Sequence, residues 1–239
     1  MDFNGQVFLQ ALGSQSLIQG VQITVALTVV SFVAGLVMGL VVAVMRDSRL
    51  RVLRAISWTY IWIFRGIPTL IQLFIVWQAL PQLFPALREQ WFSPFLASAI
   101  ALAFNEAAYA AEILRGGLLS VDEGQRVAAR ALGMPPFSVF RKVIAPQLTR
   151  VTIPPMANDF ITLLKITSLA SVTSLRELMT NTQAAVSSSF RFAEWYGAAA
   201  IYYLVLVSIF MLGQSWLERR YVWTSRARGP RSLIRAIGR

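Results

Sequence analysis

Cysteine and histidine are both absent from the 239-residue sequence. Without cysteine the chain has no disulfide bond and no thiolate nucleophile, and without either residue it has no metal site of the Cys/His type. A serine nucleophile would also lack its usual general base, which excludes a Ser–His membrane protease. We therefore predict no catalytic residues and no metal ligands in this chain.

Charged residues are scarce as well. They make up 14% of the sequence, whereas an ordinary soluble domain carries about 25%. Residues 3–45, 66–87 and 195–217 contain no charge at all. Each stretch is long enough to cross a hydrocarbon core of about 30 Å, which takes about 20 helical residues. Together with a hydrophobic content of 56%, this distribution indicates an integral membrane protein and excludes soluble enzymes.

Five apolar segments predict the membrane topology. An all-α membrane protein is expected, because lipid-exposed strands span a bilayer only when they close into a barrel. The N-terminus lacks the basic segment of a signal peptide, so the first span is expected to be retained. The predicted fold is a bundle of five transmembrane helices. They are placed at about 16–45, 55–80, 93–114, 151–175 and 195–217.

Arginine and lysine are concentrated in three segments that follow the first, third and fifth spans. Residues 46–54, 115–150 and the tail after residue 217 hold 17 of the 22 basic residues. Five spans place these segments on one side, which the positive-inside rule makes cytoplasmic. We expect the N-terminus outside, the C-terminus inside and a basic cytoplasmic tail at 223–239. Anionic lipid explains the net charge of +11 better than nucleic acid does, so no nucleic-acid partner is expected.

The cytoplasmic loop between the third and fourth spans, at about 118–147, predicts two short helices. Ser120 and Glu123 have the spacing of a capping box, which favours a helix start. Gly133 suits the left-handed residue at a helix end, and Pro135 and the proline after it prevent continuation. The first loop helix is therefore expected to begin at the capping box and to end at the glycine.

A second short helix is predicted to follow, from about Pro136 to Ile144, and to stop near Pro146. Two interpretations of the helical pair are open. It is either a solvated loop with one amphipathic helix, or a docking element whose small Ala and Gly face enters a cleft on a soluble partner.

The same loop carries a family resemblance. The segment GQRVAARALG at 124–133, followed by Pro146 thirteen residues after its last glycine, resembles the EAA loop of bacterial ABC importer permeases. Val127 stands where that family has its motif glutamate. The similarity covers roughly residues 16–222. Further segments in the same order are similar to the polar amino-acid permeases of this family: FRGIPTLIQLF at 64–74, AAYAAEILRGG at 107–117, PP at 154–155, NDF at 158–160, LLKITSL at 163–169 and LERRY at 217–221.

The resemblance implies a transmembrane domain at 1–222 that serves as the permease subunit of an ATP-driven amino-acid importer in the bacterial inner membrane. It implies two ATPase subunits, a second permease subunit of the same or a related chain, an extracytoplasmic substrate-binding protein and membrane lipid as partners. The sequence has no Walker A pattern, so ATP and Mg²⁺ are expected on the ATPase, and this chain is expected to bind no cofactor and not to be an enzyme. The expected ATPase contacts are Gly124, Val127, Ala128, Ala129, Ala131, Leu132 and Gly133.

Two alternatives to an amino-acid permease stay open. One is a permease of the same architecture for another small polar solute, such as an opine. The other is a membrane scaffold or channel subunit that acts without ATP. The EAA-like loop disfavours the second alternative, because a passive channel needs no cytoplasmic docking helix.

Several charged residues lie within or near the predicted spans, where a charge at the bilayer centre costs about 2.5–3.5 kcal/mol. Such residues usually face a cavity or pair with one another. Arg65 is expected to cap broken helix backbone near Pro68, and Glu112 to pair with Arg115 three residues on. The candidates for a substrate pathway are Glu106, Asn105, Tyr109, Arg65, Lys165 and Asp159.

Glu106 is the most informative of these candidates. It lies near mid-depth of the third predicted span, and Tyr109 shares its helix face. Two hypotheses are open for its carboxylate. It either receives a substrate ammonium or cationic side chain, or pairs with Lys165 across the bundle.

The predicted orientation can be tested with single cysteines, because the natural chain has none. A Gln125→Cys variant is expected to be unreactive to a membrane-impermeant thiol reagent in intact cells, since the loop is predicted to be cytoplasmic. Labelling should appear once the cells are permeabilised. Labelling of intact cells would reverse the predicted topology.

Overall fold

The structure, a computed structural model, describes residues 3–221, so the predicted tail at 223–239 lies outside the described residues. This part of the chain consists of helices and turns and contains no β-strand, which confirms the all-α class. The helices are α1 (Gly5–Leu12), α2 (Gln15–Arg46), α3 (Arg51–Gly66), α4 (Thr69–Phe74), α5 (Leu80–Leu83), α6 (Pro94–Leu119), α7 (Glu123–Ala131), α8 (Pro136–Val139), α9 (Ala145–Ile166), α10 (Leu178–Ser189) and α11 (Phe192–Tyr221).

Four shorter segments connect or extend these helices. The π-helical turns Ile75–Ala79 and Phe140–Ile144 continue α4 into α5 and α8 into α9. The 3-10 segments Pro85–Arg88 and Thr167–Thr173 follow α5 and α9. Three hydroxyl groups of the last segment donate to carbonyls three residues back, which competes with regular α-helical bonding. The α-helix of the predicted fourth span therefore ends at Ile166 and not at 175.

Within residues 3–221, α2 and α11 are each long and apolar enough to cross a membrane. They correspond to the predicted spans 16–45 and 195–217. Helix α3 and the segment Thr69–Leu83 meet the same criterion only when taken together, and they are bent by 102° against each other. Helix α6 covers the predicted third span and continues to Leu119. The count of five spans and their orientation stay predictions.

The helix of the second predicted span, at about 55–80, is interrupted at Ile67 and Pro68, between α3 and α4. Pro68 disfavours the helical conformation of the residue before it, and Ile67 is extended, with a ψ of 129°. The side-chain amide of Gln72 donates to the carbonyl oxygens of Phe64 and Ile67, at 2.9 and 2.8 Å. These bonds satisfy carbonyls that the interrupted helix leaves without partners, which a bend in an apolar environment requires.

Helix α7 is the first predicted loop helix, but it begins later than expected. Its N-cap is Asp122, whose carboxylate accepts from the N–H of Gly124 at 2.6 Å. Ser120 is the residue at which α6 ends, and its hydroxyl donates to the carbonyl of Gly117. The predicted capping box at Ser120 is therefore wrong, because α6 extends to Leu119 and uses this serine at its own end.

The predicted end of α7 is confirmed. Gly133 has a φ of +74°, a left-handed conformation that glycine adopts without strain. Its N–H bonds to the carbonyl of Arg130 at 2.9 Å, and the N–H of Met134 bonds to that of Ala129 at 3.2 Å. The two bonds form a Schellman motif, which turns the chain sharply toward α8.

The second predicted loop helix does not stop near Pro146. Helix α8 passes through the π-helical turn Phe140–Ile144 directly into α9. Pro146 lies in the first turn of α9, where the bonding pattern changes from i→i+5 to i→i+4. A proline is tolerated at this position, because its missing N–H falls where the regular hydrogen-bond ladder is already interrupted.

Close contact between α2 and α6 forms the centre of the fold. An ideal Cβ built at Gly35 would lie 2.5 Å from Cγ of Glu106, and one at Gly39 would lie 2.7 Å from Cβ of Ala110. Glycine is therefore the residue that fits at both positions without a shift of one helix. Buried leucines from four elements extend this core: Leu27, Leu73, Leu102 and Leu163.

Helix α1 precedes the first predicted span and α10 lies between the last two, and each is too short to give a hydropathy segment of membrane-spanning length. The backbone N–H of Asn4, at the start of α1, donates to Oε1 of Glu194 on α11 at 2.9 Å. Helix α10 begins at the fully buried Glu177, whose carboxylate accepts from two N–H groups of the first turn at 2.8 and 2.6 Å. These contacts fix both short helices at defined positions on the bundle.

Gly39→Ala is expected to destabilise the protein by about 1–3 kcal/mol, the usual range for overpacking. The new Cβ would meet Ala110 and, at 2.9 Å, the carbonyl oxygen of Ala107. Gly213→Ala on α11 is the control, because its Cβ would have open space around it. Thermal unfolding of the purified protein should show a lower Tm for the first variant alone. Equal Tm values would contradict the close α2–α6 contact.

Candidate functional site

Two acidic side chains meet in the interior between α6 and α9. Glu106 is 3% exposed, and its carboxyl group lies within hydrogen-bonding reach of that of Asp159. Oε1 of Glu106 and Oδ2 of Asp159 are buried, and no third residue among those described donates a hydrogen bond to either atom. The bundle thus holds two carboxyl groups in contact, one buried and one partly buried, that can accept further hydrogen bonds.

The chemistry of this carboxyl pair favours a cation. Two carboxylates in contact repel each other, and the repulsion is strong in a poorly hydrated interior. A proton shared by the two groups or a cationic group bound beside them removes the repulsion, and a cationic group also donates charge-assisted hydrogen bonds. An ammonium group offers three N–H donors and a guanidinium offers five. The site is therefore equipped to bind such a group, and it contains no nucleophile paired with a base.

Lys165 does not supply the cation. Its side chain is exposed, and in the described part of the chain it forms no ion pair with Glu106 or Asp159. Lys165 follows Asp159 by six positions, which turns it about 240° around the axis of α9. The hypothesis of a Glu106–Lys165 pair is therefore wrong, because Lys165 lies on another side of its helix.

Asn105, the neighbour of Glu106, has a structural role in this arrangement. Its side-chain amide donates to the carbonyl oxygen of Phe64 at 3.1 Å and to Oε1 of Gln72 at 3.3 Å. Asn105 and Gln72 together hold the bend between α3 and α4 against α6. The expectation that Arg65 caps the broken backbone is wrong, since the amide of Gln72 occupies the carbonyls of the bend.

Arg65 belongs to a second polar cluster. Its guanidinium lies 3.8 Å from Oε2 of Glu112 and 5.2 Å from the ring centre of Tyr109, a cation–π distance. Arg115 contacts the same glutamate at 3.2 Å, so the predicted i,i+3 pair is confirmed. Of the predicted pathway residues, the structure brings together Glu106 with Asp159 and Arg65 with Tyr109. A cavity of about 360 Å³ beside this cluster is lined by Arg46, Trp58, Ile61, Trp62, Arg65, Gly66 and Glu112.

The loop helix α7 presents a small and apolar surface. Val127 is 58% exposed and Leu132 is 81% exposed. Ala129 is only 5% exposed, so this member of the predicted ATPase-contact set faces the body of the protein and not a partner. The exposed members of that set are Gly124, Val127, Ala128, Ala131, Leu132 and Gly133.

Helix α7 is tied to the two helices that carry the carboxyl pair. The guanidinium of Arg126 donates to the carbonyl oxygen of Leu118 at 3.1 Å, near the end of α6. The side-chain amide of Gln147, in the first turn of α9, donates to Oε1 of Gln125. Helix α7 is therefore bonded to both α6 and α9.

An all-helical bundle with polar side chains in its interior and an exposed loop helix is typical of the membrane subunits of transport systems. Residues 31–223 match the family described as binding-protein-dependent transport system inner membrane component. The chain belongs to this family. The resemblance that the loop motif indicates is thereby confirmed.

Two relatives illustrate the extent of the similarity. The chain is 39% identical over 204 residues to the probable amino-acid permease protein YxeN of Bacillus subtilis strain 168, which covers 85% of this chain and 90% of YxeN. It is 39% identical over 208 residues to the arginine transport system permease protein ArgU of Corynebacterium glutamicum, which covers 83% of this chain and 66% of ArgU. The similarity thus extends over most of this chain in both comparisons.

A solved structure has the same fold. It is described as the crystal structure of an amino acid ABC transporter with histidines, and one of its chains superposes with a TM-score of 0.81 and 34% sequence identity. The match covers 92% of this chain and 99% of the other chain. The helix order given above is therefore that of a chain in an amino acid ABC transporter.

Sequence reasoning misses two features of the site. Asp159 is among the predicted pathway residues, but its contact with Glu106 joins two helices and has no signature in local spacing. The role of Gln72 does have a local signal, since a glutamine four residues after Pro68 in an apolar segment can reach back to the carbonyls that a proline break exposes.

Proposed function

We propose that this chain is the membrane-spanning subunit of an ATP-driven importer that carries a polar amino acid with a cationic side chain across the bacterial inner membrane. The observation that carries the proposal is the enclosed pair of Glu106 and Asp159, with an unpartnered oxygen on each carboxyl group. The names of two relatives, a probable amino-acid permease and an arginine permease, support the substrate class.

The carboxyl pair also predicts which amino acids the transporter prefers. A substrate with a cationic side chain neutralises both carboxylates and satisfies their free acceptor sites. A neutral amino acid of similar size leaves these buried groups unpaired, and sites built to hydrogen-bond a group discriminate strongly against analogues that lack it. We therefore expect lysine or arginine to be carried in preference to glutamine.

In the proposed topology the chain crosses the membrane five times, through α2, the bent α3–α5 segment, α6, α9 and α11, within the proposed transmembrane domain 1–222. The N-terminus lies outside, and the basic segments 46–54 and 115–150 lie in the cytoplasm, as the positive-inside rule requires. This orientation puts Glu106 near the middle of the membrane and α7 on the cytoplasmic surface. The family description, an inner membrane component, supports the location.

The proposed assembly contains two ATPase subunits, a second permease subunit, an extracytoplasmic substrate-binding protein and surrounding lipid. The family description, which names a binding-protein-dependent transport system, supports the substrate-binding protein as a partner. ATP and Mg²⁺ belong to the ATPase in this proposal. The exposed face of α7 docks on the ATPase, and its bonds to α6 and α9 transmit the movement that separates the two carboxyl groups and releases the substrate.

Replacing Glu106 by glutamine tests the substrate site. Glu106→Gln keeps the size of the side chain and removes its charge, so one charged hydrogen bond of about 1.5–3 kcal/mol is lost. The KM for uptake of radiolabelled lysine or arginine should rise about 10- to 100-fold, whereas the KM for glutamine should change by less than about threefold. Uptake is measured in cells that express the complete transport system, with an opine included among the competitors.

Asp159→Asn should reproduce the effect, and the double variant should not exceed it by much, because the two carboxyl groups act as one site. Glu89→Gln is the control, since Glu89 is an exposed carboxylate outside the predicted spans. An unchanged KM for cationic amino acids in Glu106→Gln, at normal expression, would contradict the proposed substrate site. Stronger inhibition by an opine than by any amino acid would favour the alternative solute.

Replacing Ala128 by tryptophan tests the coupling surface. The bulky ring would overfill a contact made by a small residue, at a penalty of about 1–3 kcal/mol by analogy with overpacked cores. Co-purification of the ATPase and substrate-stimulated ATP hydrolysis should both decrease, while membrane insertion stays normal. Ala86→Trp, an exposed position in the connection between α5 and α6, is the matched control. Equal behaviour of the two variants would show that α7 docks through another surface.

A further inference from the structure

Ser31 is a buried polar residue that the fold does not use. Its side chain is 0% exposed, and its Oγ has no hydrogen-bond partner among residues 3–221. Thr28, one turn earlier on the same helix, is equally buried, but its hydroxyl donates to the carbonyl oxygen of Thr24 at 2.7 Å. Helical serines and threonines commonly satisfy themselves in this way. A buried hydroxyl without any partner is unfavourable, so its presence in the interior needs an explanation.

The register of α2 against α6 places Ser31 beside the carboxyl pair. A Cβ atom at Gly35 would approach Glu106 and the carbonyl of Ala103 on α6. A Cβ atom at Gly39, four residues later, would approach Ala110 and the carbonyl of Ala107. A step of four residues on α2 thus matches a step of four on α6, so the helices run in the same direction. Ser31 lies one turn before Gly35 and therefore opposite the turn of α6 that precedes Glu106. Helical side chains tilt toward the N-terminus of their helix, so the Glu106 side chain leans toward that same turn.

Helix α9 also packs against α2 near Ser31 and carries Asp159. Phe32 and Phe160, the sequence neighbours of Ser31 and Asp159, contact each other edge to face with ring centres 5.1 Å apart. Helix α2 therefore packs against α9 through residues adjacent to Ser31 and Asp159. Three helices contribute three buried oxygen atoms to which no described residue outside the carboxyl pair donates a hydrogen bond: Oγ of Ser31, Oε1 of Glu106 and Oδ2 of Asp159.

We propose that Ser31 is a further substrate-binding residue and that the three oxygens form a site for the side-chain ammonium of a lysine-like amino acid. An ammonium group has three N–H donors in a compact arrangement, which matches three acceptors on three helices, whereas a guanidinium presents its donors in a plane. This inference rests on the proposed function of the carboxyl pair and adds to it a third acceptor and a preferred cationic group. The neighbouring glycine, Gly35, lets α2 approach closely enough for this contact.

Ser31→Ala in the complete transporter tests the inference. The KM for lysine uptake should rise about tenfold, since one hydrogen bond to a charged group is lost, and the KM for glutamine should stay within about twofold. The Tm of the substrate-free complex should stay equal or increase, because alanine removes an unsatisfied buried hydroxyl. A binding role thus predicts weaker uptake together with unimpaired stability, a combination that a structural role would not give.

Thr28→Val is the matched control, because it removes a buried hydroxyl that is already hydrogen-bonded. It should lower the Tm of the complex and leave the KM for lysine unchanged. If Ser31→Ala instead lowers the Tm, or raises the KM for lysine and glutamine equally, Ser31 does not contact a side-chain ammonium. If the KM for lysine is unchanged in Ser31→Ala but raised in Glu106→Gln, the inference about Ser31 is wrong and the proposed carboxyl site stands. An unchanged KM in both variants would overturn the proposed substrate site as well.

Discussion

The close approach of α2 and α6 is the constraint on which the rest of the structure depends. Gly35 and Gly39 bring the two backbones together, and a single added Cβ at either position would meet α6 at less than 3 Å. In a membrane, where lipid is as apolar as the helices, such close packing replaces the hydrophobic effect as the force that joins them. The same contact excludes solvent from Glu106 and holds its carboxyl group at a defined place against α9. The position of Glu106 in the bundle thus depends on two glycines of α2 that have no side chain.

The architecture connects this interior pair to the loop surface through continuous helices. Helix α6 leads from Glu106 toward α7, and α9 leads from the loop back to Asp159. Hydrogen bonds from Arg126 and Gln147 fasten α7 to both helices. The loop helix α7 is thus bonded to both helices that carry the carboxyl pair, which is the structural basis of the proposed coupling.

The bend between α3 and α4 shows how the fold satisfies broken backbone in an apolar environment. Each unsatisfied carbonyl would be costly there, and the amides of Gln72 and Asn105 bond to the exposed carbonyls. Asn105 is therefore structural although it lies next to Glu106. This arrangement also leaves the guanidinium of Arg65 for Glu112 and Tyr109, so two polar clusters form on neighbouring parts of α6.

The sequence by itself determines the all-helical class, the positions of α2 and α11, the end of α7 at Gly133 and the Glu112–Arg115 pair, because each depends on one contiguous segment or on neighbours within one helix turn. The tertiary structure alone decides that Glu106 meets Asp159 and not Lys165, that Ala129 faces inward, and that Ser31 has no donor in the described chain. These features depend on which sides of distant helices meet. Membrane helices such as α2 are apolar on nearly all sides, so their hydropathy pattern does not distinguish the face that packs on a neighbour from the face that contacts lipid.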